Sequence, residues 1–134
     1  MSEDATKARR PWGEPWLRYA LSVGLFAIGV DHFVNPAPFV SIMPPYFPAA
    51  THLPLVMFTG VCEIAAAIGL NVPKTRRAAG IMLVPFFALV FLANIQHALH
   101  PELLHTPAWV AYARLPLQAV LIAWALRYAK KPSA

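Results

Sequence analysis

Cysteine is nearly absent from this 134-residue chain, and so is charge. The single Cys62 excludes an intramolecular disulfide, and no CxxC or Cys/His zinc spacing occurs. Only 13% of residues are charged against 58% hydrophobic, where an average soluble domain carries about 25% charged residues. A soluble chain this short has too little interior to hide that much apolar surface, whereas a bilayer accepts it. One stretch, residues 78–97, lacks Asp, Glu, Lys and Arg altogether. No small-x-small cleavage site precedes the polar Asp31-His32 pair, so the first apolar segment reads as a retained helix, not a removed signal peptide.

What is present organises around four apolar windows, 16–34, 53–72, 78–97 and 107–126. Each has the roughly 20 residues a membrane-crossing helix needs. The expected fold is all-α: an integral-membrane antiparallel four-helix transmembrane bundle. It would comprise a basic tail (1–15), one membrane domain (16–128) and a short basic C-terminal tail (129–134).

The net charge of +5 suggests nucleic acid until its distribution is read. Ten of the eleven Lys and Arg residues flank the windows: Lys7, Arg9, Arg10 and Arg18, then Lys74, Arg76 and Arg77, then Arg127, Lys130 and Lys131. Loops 35–52 and 98–106 hold none. The positive-inside rule then puts both termini and the 73–77 turn in the cytoplasm of a cell with this protein in its inner membrane, and nucleic acid is discarded as a partner. Trp12, Trp16, Tyr19, Trp124 and Tyr128 fall at the inner interface, and Trp109 and Tyr112 at the outer one. The eighteen-residue loop 35–52 carries five prolines and no formal charge. It is expected to be an ordered proline-rich outer cap with a short helix over 37–43, the alternative being a spacer without further role.

Ionisable groups inside a span cost about 2.5–3.5 kcal/mol each on insertion scales, so each needs a partner or a purpose. The candidates are Asp31, His32, Glu63, Asn94, His97, Arg114 and Gln118, all in the outer half under the inferred topology, with no comparable group in the cytoplasmic half. At 100° per residue, Arg114 and Gln118 share a face, as do Asn94 and His97. Small-residue stripes, Gly24, Ala27, Ile28 and Asp31 on the first helix and Gly60, Glu63 and Ala67 on the second, suggest close packing. Pro85 and Pro116 should free the carbonyls of Ile81 and Tyr112. Two readings stay open. One is a buried Glu63–Arg114 ion pair that only fixes helix register. The other is a pocket for a small polar or quinone-like headgroup, with His32 or His97 handling a proton. Cys62 reads as a packing residue, and no catalytic residue is assigned.

These residues also carry a resemblance. Gly29, Asp31, His32 and Phe33 followed by Pro36, Phe39, Ile42, Pro44 and Pro48 resemble the first helix end and loop of DoxX-like membrane proteins. Gly60, Cys62, Glu63, Ala67, Gly69, Leu70, Pro73, Thr75, Arg76, Ala79 and Gly80 are similar to their second helix and turn. Phe91, Asn94 and Ile95 resemble their third, and Arg114, Pro116 and Gln118 their fourth. The similarity runs from about residue 16 to 128 and implies a four-helix membrane bundle. Relatives are associated with quinone-linked sulfur oxidation, with membrane thiol and oxidant-defence complexes, and with assembly of other proteins. His32, Glu63, Asn94, Arg114 and Gln118 occupy the family's motif positions, although no catalytic role follows, and paired cysteines for thiol chemistry are missing. The expectation is an accessory inner-membrane subunit whose outer-half pocket binds a quinone-like ligand for a redox partner. The alternatives are an assembly factor holding a client membrane protein and, last, a small transporter, for which no internal repeat or continuous polar path is evident. A homo-oligomer is left open.

Overall fold

The structure is a computed structural model and describes residues 15–131; the expected basic tail with Lys7, Arg9, Arg10 and Trp12, and the last residues of the C-terminal tail, lie outside them. The described residues are helical, with no strand. Four long helices, α1 (Pro15–Val34), α3 (Ala49–Gly69), α4 (Arg76–Leu99) and α5 (Ala108–Ala129), are joined by a five-residue helix α2 (Ala37–Ser41) and a 3-10 turn (Pro101–Leu104). All four long helices have the length and hydropathy to cross a membrane. At 1.5 Å per residue the shortest reaches about 30 Å. At most 33% of any of these apolar windows is buried inside the molecule, so residues such as Phe26, Phe58, Leu89 and Leu117 face outward. Such a surface suits lipid, and the chain is a multi-pass membrane protein by the length and composition of its helices.

Helix ends follow the chain's punctuation. Pro48 and Pro107 stand in extended conformation immediately before α3 and α5, positions where a missing N–H costs no helical bond. The second window begins four residues later than α3 does, because Ala49–His52 is not strongly apolar and yet is helical, tied down by Thr51 Oγ1 donating to Pro48 O (2.6 Å) and His52 Nε2 to Phe47 O (2.8 Å). The short helix expected over 37–43 is present as α2, whose residues pack against α3 and the 3-10 turn. Left-handed His105 (φ 52°) ends that turn.

Packing is by pairs. α1 lies along α3, and α4 along α5, with the thinner α3–α4 contact holding the pairs together. The face of α1 that packs is Leu21, Ser22, Leu25, Gly29 and His32, not the expected stripe of Gly24, Ala27, Ile28 and Asp31. Gly24 has open space around it, and Ala27, Ile28 and Asp31 are exposed. Side-chain size misleads here, because small residues on a lipid-facing surface are as acceptable as large ones. The expected face of α3 is correct, with Gly60, Glu63 and Ala67 buried.

One apolar core joins all four helices. It comprises Leu21 and Leu25, Ala66, Ala67 and Leu70, Ala79, Leu83, Phe86 and Phe87, with Ala125 and Tyr128. It sits where α1 and α4 begin and α3 and α5 finish, which we call the basic end. The half-buried Cys62 packs against it. The sequence offers no group there comparable to the seven candidates, yet this end is fastened by polar side chains. Asn71 Nδ2 donates to Ser22 Oγ (2.9 Å) and Ala67 O (2.8 Å), and Arg18 reaches Asn71 Oδ1 (3.4 Å). Buried Arg76 donates from Nε to Leu70 O (2.8 Å), and Thr75 Oγ1 to Gly69 O (2.9 Å). These donors satisfy carbonyls that the end of α3 leaves without helical partners. Arg76 reads as a flanking charge in the sequence, and only the fold shows it turned inward.

Candidate functional site

At the opposite, polar end the core gives way to buried polar side chains, and the fold sorts the seven candidates into two groups and an outlier. Asp31 is the outlier, exposed at the end of α1. His32 and Glu63 meet between α1 and α3. Asn94, His97, Arg114 and Gln118 meet between α4 and α5.

The first group rests on a close backbone approach. A Cβ on Gly29 would lie 3.0 Å from Gly60 O and 3.1 Å from Glu63 Cβ, and one on Gly60 would lie 2.8 Å from His32 Cβ. Glycine at both positions lets the helices touch, and that brings His32 and Glu63 together. His32 Nδ1 is 3.1 Å from Glu63 Oε2, and both residues are buried. The ring N–H is directed to Ile28 O at 2.8 Å, which leaves Oε2 beside the ring without an aligned hydrogen bond. Phe39 of α2 stacks on the imidazole, with centroids 3.8 Å apart and planes 20° apart. Phe39 thereby ties the proline-rich segment to the pair. This group is held by glycine contact and ring stacking, with Glu63 Oε2 left as a buried oxygen without a hydrogen-bond partner.

In the second group each partner dictates the next. Gln118 Nε2 donates to Phe87 O (2.6 Å). Only the amide nitrogen can donate to a carbonyl, so Oε1 is the atom turned to Asn94, and it accepts from Asn94 Nδ2 (3.1 Å). Asn94 Oδ1 is therefore left as a buried acceptor with no donor. One turn away, Arg114 Nη1 lies 3.1 Å from His97 Nδ1. A guanidinium has donors only, so Nδ1 must be the unprotonated nitrogen; Nε2 then carries the hydrogen and donates to Thr106 Oγ1 (3.2 Å). His97, fully buried, is held as one neutral tautomer by a cation on one side and a hydroxyl on the other.

The expected Glu63–Arg114 pair does not form, because the two residues belong to different helix pairs. Similar depth was readable from residue counting; the direction each side chain faces around the bundle was not. Glu63 has His32 instead, and Arg114 has His97 and no carboxylate among the described residues. Thr106 was missed by sequence reasoning. It lies in the loop before α5, and only the 3-10 turn brings it back over His97. The carbonyl that accepts from Gln118 is that of Phe87, not the Ile81 or Tyr112 carbonyl expected to be freed by proline.

A family profile, described as a domain of unknown function (DUF8561), matches residues 21–129. The chain belongs to that family. The matched region holds every candidate named above and both helix pairs, so the DUF8561 domain is the membrane bundle itself. No curated protein and no solved structure matches the chain.

Proposed function

We propose that this DUF8561 protein is an accessory membrane subunit whose α4–α5 polar group binds a small oxygen-bearing ligand of quinone-like chemistry on behalf of a redox partner. The observation that carries this is Asn94 Oδ1, an acceptor without a donor in an amide pair whose orientation is fixed from Phe87 onward. An unmet buried acceptor costs about 1–3 kcal/mol. Arg114, one turn away on α5, uses one of its five N–H donors on His97. The reduced, quinol form of such a ligand answers both, a ring hydroxyl accepting from Arg114 at its oxygen and donating its hydrogen to Asn94 Oδ1. His97, neutral and tethered, is the adjacent group able to take or return a proton.

In this reading the helices alternate direction through the bilayer, supported by the contacts of Arg18 and Ser22 at the start of α1 with Asn71 just after α3, and of Arg77 at the start of α4 with Ala129 at the end of α5 (3.2 Å). In the same reading both termini lie in the cytoplasm, and the proline-rich segment and ligand site at the outer face of an inner membrane, which the gathering of basic residues at one end supports. The resemblance to DoxX-like proteins points the same way, to a small bundle serving a larger redox system.

The test is purification in mild detergent followed by organic extraction and quantification of quinone per chain. The reading expects quinone with the native protein and its loss from Arg114→Met and Asn94→Leu, but not from Glu63→Ala. Stoichiometric recovery of another membrane protein without quinone contradicts it and favours the assembly-factor reading, in which a client's buried carboxylate meets Arg114.

A further inference from the structure

The two helix pairs leave a seam. α1 packs on α3 and α5 on α4, and between α1 and α5 runs an open groove of about 760 Å³, within the roughly 300–1,000 Å³ range of small-molecule sites. It has a direction. Leu17 of α1 with Val120 and Trp124 of α5 form its apolar part, and Arg127, Lys130 and Lys131 its charged part. Val120 precedes Arg127 by seven residues, so the apolar part reaches about 10 Å along the helix from the first cation.

Two further observations define what fits. The acidic residues among those described, Asp31, Glu63 and Glu102, all belong to the opposite end, so no described carboxylate neighbours Lys130 or Lys131. Trp124 presents its ring to the groove while its indole nitrogen is buried, so this wall of the groove is apolar.

We propose that this groove is a site for one anionic phospholipid. Its phosphate lies on Lys130 and Lys131, and an acyl chain runs along Leu17, Val120 and the ring of Trp124. An acyl chain attached to a negative headgroup reproduces the order of apolar and cationic residues along the groove. The site lies at the other end of the bundle from Arg114 and Asn94 and is independent of the ligand assigned there.

Brominated lipid tests it directly, because bromine on an acyl chain quenches a tryptophan that it touches. The full chain with Trp12→Phe, Trp16→Phe and Trp109→Phe retains Trp124 as its one indole. It is placed in nanodiscs of phosphatidylcholine containing increasing fractions of brominated phosphatidylglycerol or brominated phosphatidylcholine. Half-maximal quenching is expected at a lower mole fraction of the anionic lipid, by about fivefold for each lysine. Lys130→Gln with Lys131→Gln should abolish the preference, and Lys130→Arg with Lys131→Arg should keep it. Equal quenching by the two lipids overturns the proposal, as does a preference that survives the glutamine pair. A preference that appears only after deletion of residues 1–14 also overturns it, since the chain's own tail then fills the groove. Should the tryptophan variant not fold, native mass spectrometry of the unaltered chain decides. More phosphatidylglycerol than phosphatidylcholine should be retained, dependent on the lysine pair, and equal retention contradicts the site.

Discussion

The α1–α3 and α4–α5 pairs both combine a glycine contact with buried polar side chains, but they place the two features differently. In α1–α3 they coincide: Gly29 meets Gly60 beside His32 and Glu63. In α4–α5 they lie far apart. Gly80 meets the backbone of Tyr128 and Ala129 at the basic end, whereas Asn94 is fourteen residues further along α4, about 21 Å away. At the basic end Gly80 lets the backbones touch, and at the polar end hydrogen bonds of Asn94, Gln118, His97 and Arg114 cross the interface. Each group keeps one buried acceptor without a donor, Glu63 Oε2 in the first and Asn94 Oδ1 in the second. What sets the second apart is Arg114, which uses one donor on His97 and has four more to offer. We read the first pair as structural and the second as the binding site.

The contact at Gly80 is the most sensitive point. A Cβ on Gly80 would fall 2.5 Å from Ala129 N and 2.6 Å from Tyr128 C, backbone atoms that cannot rotate away. Gly80→Leu should abolish accumulation of folded protein, read by monodisperse elution in detergent, since overpacking costs about 1–3 kcal/mol even where side chains can adjust. Gly60→Val should follow, at about 1–3 kcal/mol, because its neighbours include His32 Cβ and Phe33; unfolding by denaturing detergent measures it. Glu63→Ala removes the partner of His32 and opens a void beside Gly29, and should lower stability by about 1–3 kcal/mol while leaving bound quinone unchanged. Loss of quinone with stability intact would erase the distinction between the two pairs. The smallest effect is expected at Tyr128, fully buried with a hydroxyl that has no hydrogen-bond partner. Tyr128→Phe should be neutral or stabilising by about 1 kcal/mol in the same unfolding assay.

Much of the fold is legible before any coordinates. Hydropathy locates four helices to within a few residues, because a span must be long and apolar wherever it sits. The buried faces of α3, α4 and α5 also follow from helical periodicity through Glu63, Asn94, His97 and Gln118. The packing face of α1 does not, since lipid accepts Gly24 and Ala27 as readily as a helix interface does. Partner choice was hidden for a related reason. Height along the bundle can be counted from a sequence, and this suggested Glu63 with Arg114, but which helices pair depends on where glycines permit contact. Thr106 and Arg76 were overlooked because a loop hydroxyl and a flanking cation look like solvent groups until the turns fold them inward.

Arg114→Met measures the central claim most directly. Its thermal midpoint in detergent, with and without an added short-chain benzoquinone supplied in its reduced form, should be compared with that of the native chain. If Arg114 is kept for a ligand, the variant should be at least as stable as the native protein without quinone, because an intramembrane cation costing about 2.5–3.5 kcal/mol has been removed. It should also lose the rise in midpoint that quinone gives the native chain. A variant that is markedly less stable alone, yet stabilised by quinone as much as the native protein, would contradict the account and make Arg114 a structural residue like Glu63.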